Sequence, residues 1–182
     1  MADLVPDELL RAGVQKIFHH VSVKPGKPVW FGRKDHLPAG IRASRQSRGE
    51  NSLDSPVVPE TSYVFGLPGN PVSSMVCFEL FVRPALQRWA GATSAVPALF
   101  QARLETEFQH QADRSTWFPA NWTVSGTTLV VKPVPWKGSA DVRSTVDANC
   151  SLSVPAGKIQ WSSGTEVTIL PWGKCSLTGL TD

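Results

Sequence analysis

The sequence predicts a partial α/β layer followed by a small all-β domain, a barrel or a sandwich. Three observations carry that expectation. A buried-strand type of run, Tyr63-Val64-Phe65, leads through Gly66-Leu67-Pro68-Gly69-Asn70-Pro71 into an apolar, helix-type segment from Val72 to about Trp89. Beyond Pro97 the texture changes to short β-prone runs separated by Ser125-Gly126, Ala156-Gly157 and Ser163-Gly164, the spacing of an all-β fold. Finally, 182 residues with 41% hydrophobic and 18% charged side chains are enough for two small cores and too apolar for a disordered polyelectrolyte.

In chain order, Leu4, Leu9, Leu10, Val14 and Ile17 recur at helical spacing, with Asp7 and Glu8 in the first turn after Pro6, and Gly13 is the stop. Ile17 to Val23 alternates loosely and favours a short strand. Lys24-Pro25-Gly26-Lys27-Pro28 can be neither helix nor central strand, because proline fixes φ and lacks a donor. Val29-Trp30-Phe31 reads as a second strand closed by Gly32. From 33 to 60 the chain loses periodicity and carries Arg33, Lys34, Arg42, Arg45 and Arg48 among Gly, Ser and Pro. This basic loop is read as a solvated insertion, with service to phosphate or RNA as the alternative. The helix from Val72 should end or kink at Pro84, and Gly91 to Pro97 is the expected boundary between domains 1–92 and 97–182. In the second domain the runs Leu99–Phe108, Thr127–Lys132, Ser151–Val154 and Glu166–Leu170 supply strands.

Composition excludes several classes. A net charge of +3 is far from the concentrated field of a dedicated nucleic-acid binder. No apolar run is long enough to span a bilayer, and the first residues lack a secretory pattern, so a cytoplasmic protein without membrane or nucleic-acid partners is expected. Cys77, Cys150 and Cys175 are far apart with no C-x-x-C pair, and they read as ordinary thiols rather than a disulfide framework or zinc site.

Two segments carry chemistry. In the strand–turn–helix at Phe65–Ser74, Asn70 suits the N-cap and Pro71 the first helical position. The free N–H groups there suit an anion, Gly66 and Gly69 let backbone approach it, and Ser73 and Ser74 add hydroxyls. A well-capped buried helix without ligand is the plain alternative. In the second segment, Lys24 and Lys27 form a cationic clasp on a proline-stiffened turn, against the commoner reading of solvated surface lysines. Strand ends in an open α/β sheet meet along one edge, so a phosphate-bearing small molecule would satisfy both segments.

The pair Val23–Pro28 and Gly66–Ser74 resembles the molybdopterin molybdenumtransferase family, MoeA and the gephyrin E domain. The resemblance covers essentially the whole chain but only the C-terminal part of the family. It implies a partial MogA-like α/β molybdopterin-binding domain plus a C-terminal β-barrel domain. A G-G-V-S motif, the first half of the binding domain and two N-terminal domains are not in this sequence, and the chain is expected to be inactive alone. The implied reaction inserts molybdate into adenylylated molybdopterin, assisted by Mg2+, with release of AMP, in a homodimer. By resemblance, Lys24 lies in the active-site cleft, Pro68 and Pro71 flank it, and Asp3 acts catalytically near the metal or molybdate. Lys27, Gly69, Asn70 and Ser73 fall to substrate binding. Asp113–Ala120 resembles a family segment that makes Arg114 an anion ligand, and Trp136–Asp141 resembles a turn in which Ser139 faces the cleft. Where the family often has a second lysine, four residues before the first, this chain has His20. A non-catalytic pterin-phosphate-binding or scaffold module is the alternative function. An RNA-binding barrel explains neither proline-glycine segment.

Overall fold

The structure is a computed structural model that describes residues 3–36 and 60–173. It divides into two compact units that interleave in sequence: Met1–His19 with Trp30–Gly66, and His20–Val29 with Leu67–Asp182.

The first unit is a short helix and a three-stranded antiparallel sheet. Helix α1 (Val5–Arg11) has Pro6 in its first turn beside Asp7 and Glu8, and it ends before Gly13, whose φ is 78°. It has no buried residues. Strands β1 (Gln15–His19), β3 (Trp30–His36) and β4 (Glu60–Gly66) lie in the order β1-β3-β4; the short strand β2 (Val23–Lys24) belongs to the second unit. Phe31 packs on Phe18, Tyr63 and Phe65 at centroid distances of 5.5, 6.0 and 4.5 Å.

Gly32 does not close its strand, which continues to His36. A Cβ there would sit 2.4 Å from the Trp30 ring and 2.6 Å from the Gln15 carbonyl, so the glycine makes room for the buried indole. Arg33 and Lys34 are therefore strand residues. The rest of the expected basic loop, 37–59 with Arg42, Arg45 and Arg48, lies outside the described residues. Tyr63 is also less enclosed than its run suggested, because β4 is an edge strand and the side chain is exposed.

The second unit opens with β2 and resumes at a helical segment of three parts: α2 (Pro71–Cys77), a π-helical turn (Phe78–Val82) and α3 (Arg83–Trp89). The helix neither stops at Pro84 nor needs a break there. Pro84 falls in the first turn after the wide π turn, where its missing N–H and bulky ring are accommodated. Val72, Ser73, Val76 and Cys77 form one buried face, whereas Leu86 and Trp89 at the far end are exposed. Inside the π turn the buried Glu79 receives both Arg83 Nη2–H (2.8 Å) and Arg83 Nε–H, together with the Gly173 N–H at 3.2 Å.

The remainder is the expected β barrel. Strands β5 (Phe100–Leu104), β7 (Ser115–Ser125), β8 (Thr128–Pro133), β9 (Cys150–Val154) and β11 (Glu166–Pro171) run in the order β7-β8-β5-β11-β9, and β9 pairs again with β7 to close the barrel. β7 manages this because it is eleven residues long. Its C-terminal half pairs β8 and its N-terminal half pairs β9, with Ala120 opposite both Pro133 and Cys150. Ala102, Leu104, Phe118, Ala120, Val131, Leu152, Val154, Val167 and Ile169 fill the interior, each aliphatic contributing roughly 1.5–3 kcal/mol by leaving water. A two-stranded ribbon of β6 (Phe108–Ala112) and β10 (Gly157–Trp161) lies outside the barrel's hydrogen-bonding ring. Asn149 Nδ2 and Oδ1 bridge the Trp122 carbonyl and N–H at 3.0 and 2.8 Å, a structural role.

Candidate functional site

All of the residues expected to bind substrate belong to the second unit, and three anchors gather them. The first is strand pairing. β2 adds to β7 in parallel, placing Val23 opposite Ser115 and Lys24 opposite Thr116. Arg114 immediately precedes that pairing, and its carbonyl accepts the Thr116 hydroxyl at 3.2 Å. Two cationic residues distant in sequence are thereby brought to one end of one barrel strand.

The second anchor holds the turn after Lys24 against the helix. The Val21 N–H donates to the Lys27 carbonyl at 3.0 Å, and the Val29 N–H to the Gly26 carbonyl at 3.2 Å. The Lys24–Pro25 peptide is cis. Gly26 has φ 125°, and a Cβ on it would stand 2.6 Å from Cys77 Sγ. The Cys77 thiol instead donates to the Gly26 carbonyl at 3.6 Å. Burial pushes the thiol up to about 11, and that of Cys150 up to about 12, so both are inert packing groups. Cys175 lies outside the described residues. In this turn Pro25 and Gly26 are buried, Lys24 is half-buried and Lys27 exposed.

The third anchor joins the helix start to the loop after β8. Asn70 occupies the N-cap position and Pro71 the first helical turn, as expected, but the Asn70 side chain makes no cap bond. Its Nδ2–H donates to Ser139 Oγ at 3.0 Å. The Ser74 hydroxyl closes the turn instead, on the Pro68 carbonyl, and its N–H bonds the Asn70 carbonyl at 3.0 Å. Pro68 and Ser73 are buried, while Gly69, Asn70 and Pro71 are exposed. The loop carrying Ser139 is organised by Asp141, whose carboxylate accepts the N–H groups of Lys137 (3.0 Å) and Ser144 (3.3 Å).

The electrostatics favour an anion. Arg114 is neighboured by the exposed Asp113, whose carboxylate lies 3.2 Å from Arg114 Nε but off the line needed for a hydrogen bond. Asp3 is in the first unit, where its Oδ1 accepts the Val5 N–H at 3.2 Å. Among the described residues no group of three or more His, Cys, Asp or Glu could hold a metal ion. The described residues therefore do not by themselves offer a donor set that fits magnesium.

Two residues were not found from the sequence. His110, in β6, packs at 6.1 Å on Phe108 and edge-on at 5.4 Å on Phe118; Trp136 meets Phe118 edge-on at 5.1 Å. His110 Nε2 and Trp136 Nε1 are both buried without a hydrogen-bond partner among the described residues. Burial, and secondarily the charge of Lys24, push His110 below the ordinary imidazole value. An isolated histidine in an alternating strand gives no sequence signal for this.

Two family models match successive parts of the chain. Residues 1–88 match the probable molybdopterin binding domain, and residues 101–172 match the MoeA C-terminal region, domain IV. A molybdopterin molybdenumtransferase of Staphylococcus aureus (strain Mu50) is 27% identical over 159 residues, covering 84% of this chain and 38% of its own length. Two crystal structures of the molybdopterin biosynthesis MoeA protein from Pyrococcus horikoshii superpose with TM-scores of 0.62 and 0.56, at 23% and 25% identity. They cover 93% and 89% of this chain but only 35% and 33% of their own. The chain thus spans well under half the length of the relatives it matches. The two consecutive family models, the named relatives and the shared fold lead to one assignment: the chain is MoeA-like over most of its length, and its second half matches the MoeA C-terminal region.

Proposed function

We propose that this chain serves molybdenum cofactor biosynthesis, binding molybdopterin or its adenylylated form where molybdate is inserted and AMP released. Two observations support the reading: the β2–β7 pairing sets Lys24 at the end of β7 next to Arg114, and the Asn70 amide bonds Ser139. A molybdate dianion meeting a dithiolene that bears a phosphoanhydride needs its repulsion offset, and fixed cations and preorganised donors do that. In this reading Lys24 neutralises the phosphate or oxyanion, and Arg114 offers a guanidinium to it. Lys27 adds long-range attraction. Pro68, Gly69 and Pro71 shape the backbone beside the ligand, and Asn70, Ser73 and Ser139 supply polar contacts. Asp3 remains a proposed catalytic acid, and no step is routed through a magnesium ion. The domains are 1–92 and 97–182, and the protein acts in the cytoplasm as a homodimer.

Calorimetric titration of the purified chain with molybdopterin tests the reading. Micromolar-range binding that weakens at least about tenfold in Lys24→Ala and in Arg114→Ala, with the fold retained, is expected. Affinity unaffected by either substitution would overturn it. A binding or scaffold module without catalysis is the second reading. AMP release from the adenylylated substrate distinguishes the two.

A further inference from the structure

We propose that His110 is a proton-linked ligand of the oxyanion site, its Nε2 taking up one solvent proton when a tetrahedral dianion settles beside Lys24 and donating it to that anion as a hydrogen bond. This rests on the reading of the Lys24 end of the barrel as an oxyanion site. The geometry leads there in short steps. Lys24 lies across from Thr116, and Phe118 is the next residue on the same face of β7. His110 rests edge-on against Phe118. Its ring is also stacked on Phe108, so it has little freedom to turn its nitrogen toward water.

A buried nitrogen without a partner costs about 1–3 kcal/mol, and native proteins rarely keep one without a use. Here there are two on one aromatic cluster, since Trp136 Nε1 on the other contact of Phe118 is buried and unpartnered as well. An oxyanion beside Lys24 would offer an acceptor to His110, provided that Nε2 carries a hydrogen.

With the neutral ring's hydrogen on Nδ1, the tautomer this proposal assigns, Nε2 gains one only by protonation, and the charges around His110 decide when. From β2 it faces Lys24, whose charge disfavours the imidazolium. From β7 it faces no titratable side chain, because Ser115–Ser125 contains none. On β10 its partner is Ile159, while Lys158 pairs with Gln111 on the other face. Asp113 and Arg114, just beyond β6, bring opposite charges that lie 3.2 Å apart. No carboxylate among the described residues stands ready to stabilise His110 in its charged form. A bound dianion would reverse that balance, offsetting Lys24 and accepting the new N–H. Proton uptake and anion binding are then linked, each strengthening the other.

The test titrates the protein with molybdate and, separately, with AMP as a phosphate ester, across about pH 5 to 8. Backbone amide shifts of Lys24 and Ser139 report binding, and the His110 imidazole resonances report the proton. His110→Gln subtracts the titration of the ligands and of the other histidines. The expected result is that wild-type affinity rises about tenfold more than that of His110→Gln as pH falls, with the His110 pKa raised by at least about one unit in the complex. Linkage with molybdate alone supports a free-oxyanion site, and linkage with AMP alone supports a phosphate-ester site. Binding with no movement of the His110 resonances, or the same pH dependence in both proteins, overturns the inference and leaves the oxyanion reading standing. Absence of binding by either ligand throughout overturns the oxyanion reading and the inference with it.

Discussion

The two proline-glycine turns look alike in sequence, and the structure sets their glycines apart by what surrounds them. Gly26, between Pro25 and Lys27, is buried at φ 125°, and a Cβ there would press on Cys77 Sγ. Gly69, between Pro68 and Asn70, is exposed and has no left-handed φ, and a methyl group placed on its Cα would meet nothing within 4 Å. The first glycine is demanded by the protein's own packing. The second answers to no steric demand among the described residues. Steric demand within the fold identifies a structural glycine, and composition alone cannot.

The largest effect should come from Gly26→Ala. A positive φ and an overpacked contact together predict a loss of about 2–4 kcal/mol, read by urea denaturation. In the wild type Cys77 should resist alkylation at about pH 8, because its thiol is pushed up to about 11. The variant should release it by lifting the turn away. Next is Lys24→Ala, for which molybdopterin affinity should fall at least about tenfold, or roughly 1.4 kcal/mol, with the denaturation midpoint nearly constant. A large stability loss instead would move Lys24 into the structural class with Gly26. A double-mutant cycle of Asn70→Ala and Ser139→Ala should return a coupling of about 0.5–1.5 kcal/mol in stability, and zero coupling would dissolve the third anchor. Smallest is Gly69→Ala, which should change stability by no more than about 0.5 kcal/mol while weakening ligand binding. Unchanged affinity would remove the contrast between the turns.

Local chemistry was legible in the sequence; long-range pairing was not. Gly13, Gly126, Gly157 and Gly164 end or turn elements where their type suggests, each with a positive φ. Asn70 and Pro71 begin the helix as their residue types require. What failed were places where a distant partner overrides local preference. Gly32 continues a strand because Trp30 folds over it, and the helix passes Pro84 because a π turn absorbs the ring. The Asn70 side chain leaves its cap for Ser139, 69 residues away. Lys24, Arg114 and Ser139 were singled out only through family resemblance, and that Lys24 stands beside the start of β7 depends on β2 joining it, a two-residue pairing with no periodic signature. His110 and Trp136 were missed because an orphaned buried nitrogen is defined by its surroundings and has no sequence pattern.

That two-residue strand also bears on how the barrel can be isolated. Severing the chain near residues 92–97 would leave Ser115 and Thr116 at the start of β7 with an open edge, since their parallel partners lie at Val23 and Lys24. Backbone donors laid bare on an edge invite pairing with another molecule. A barrel prepared without the Val21–Val29 segment should therefore be sticky as well as ligand-blind, and supplying that segment as a free peptide is the natural remedy.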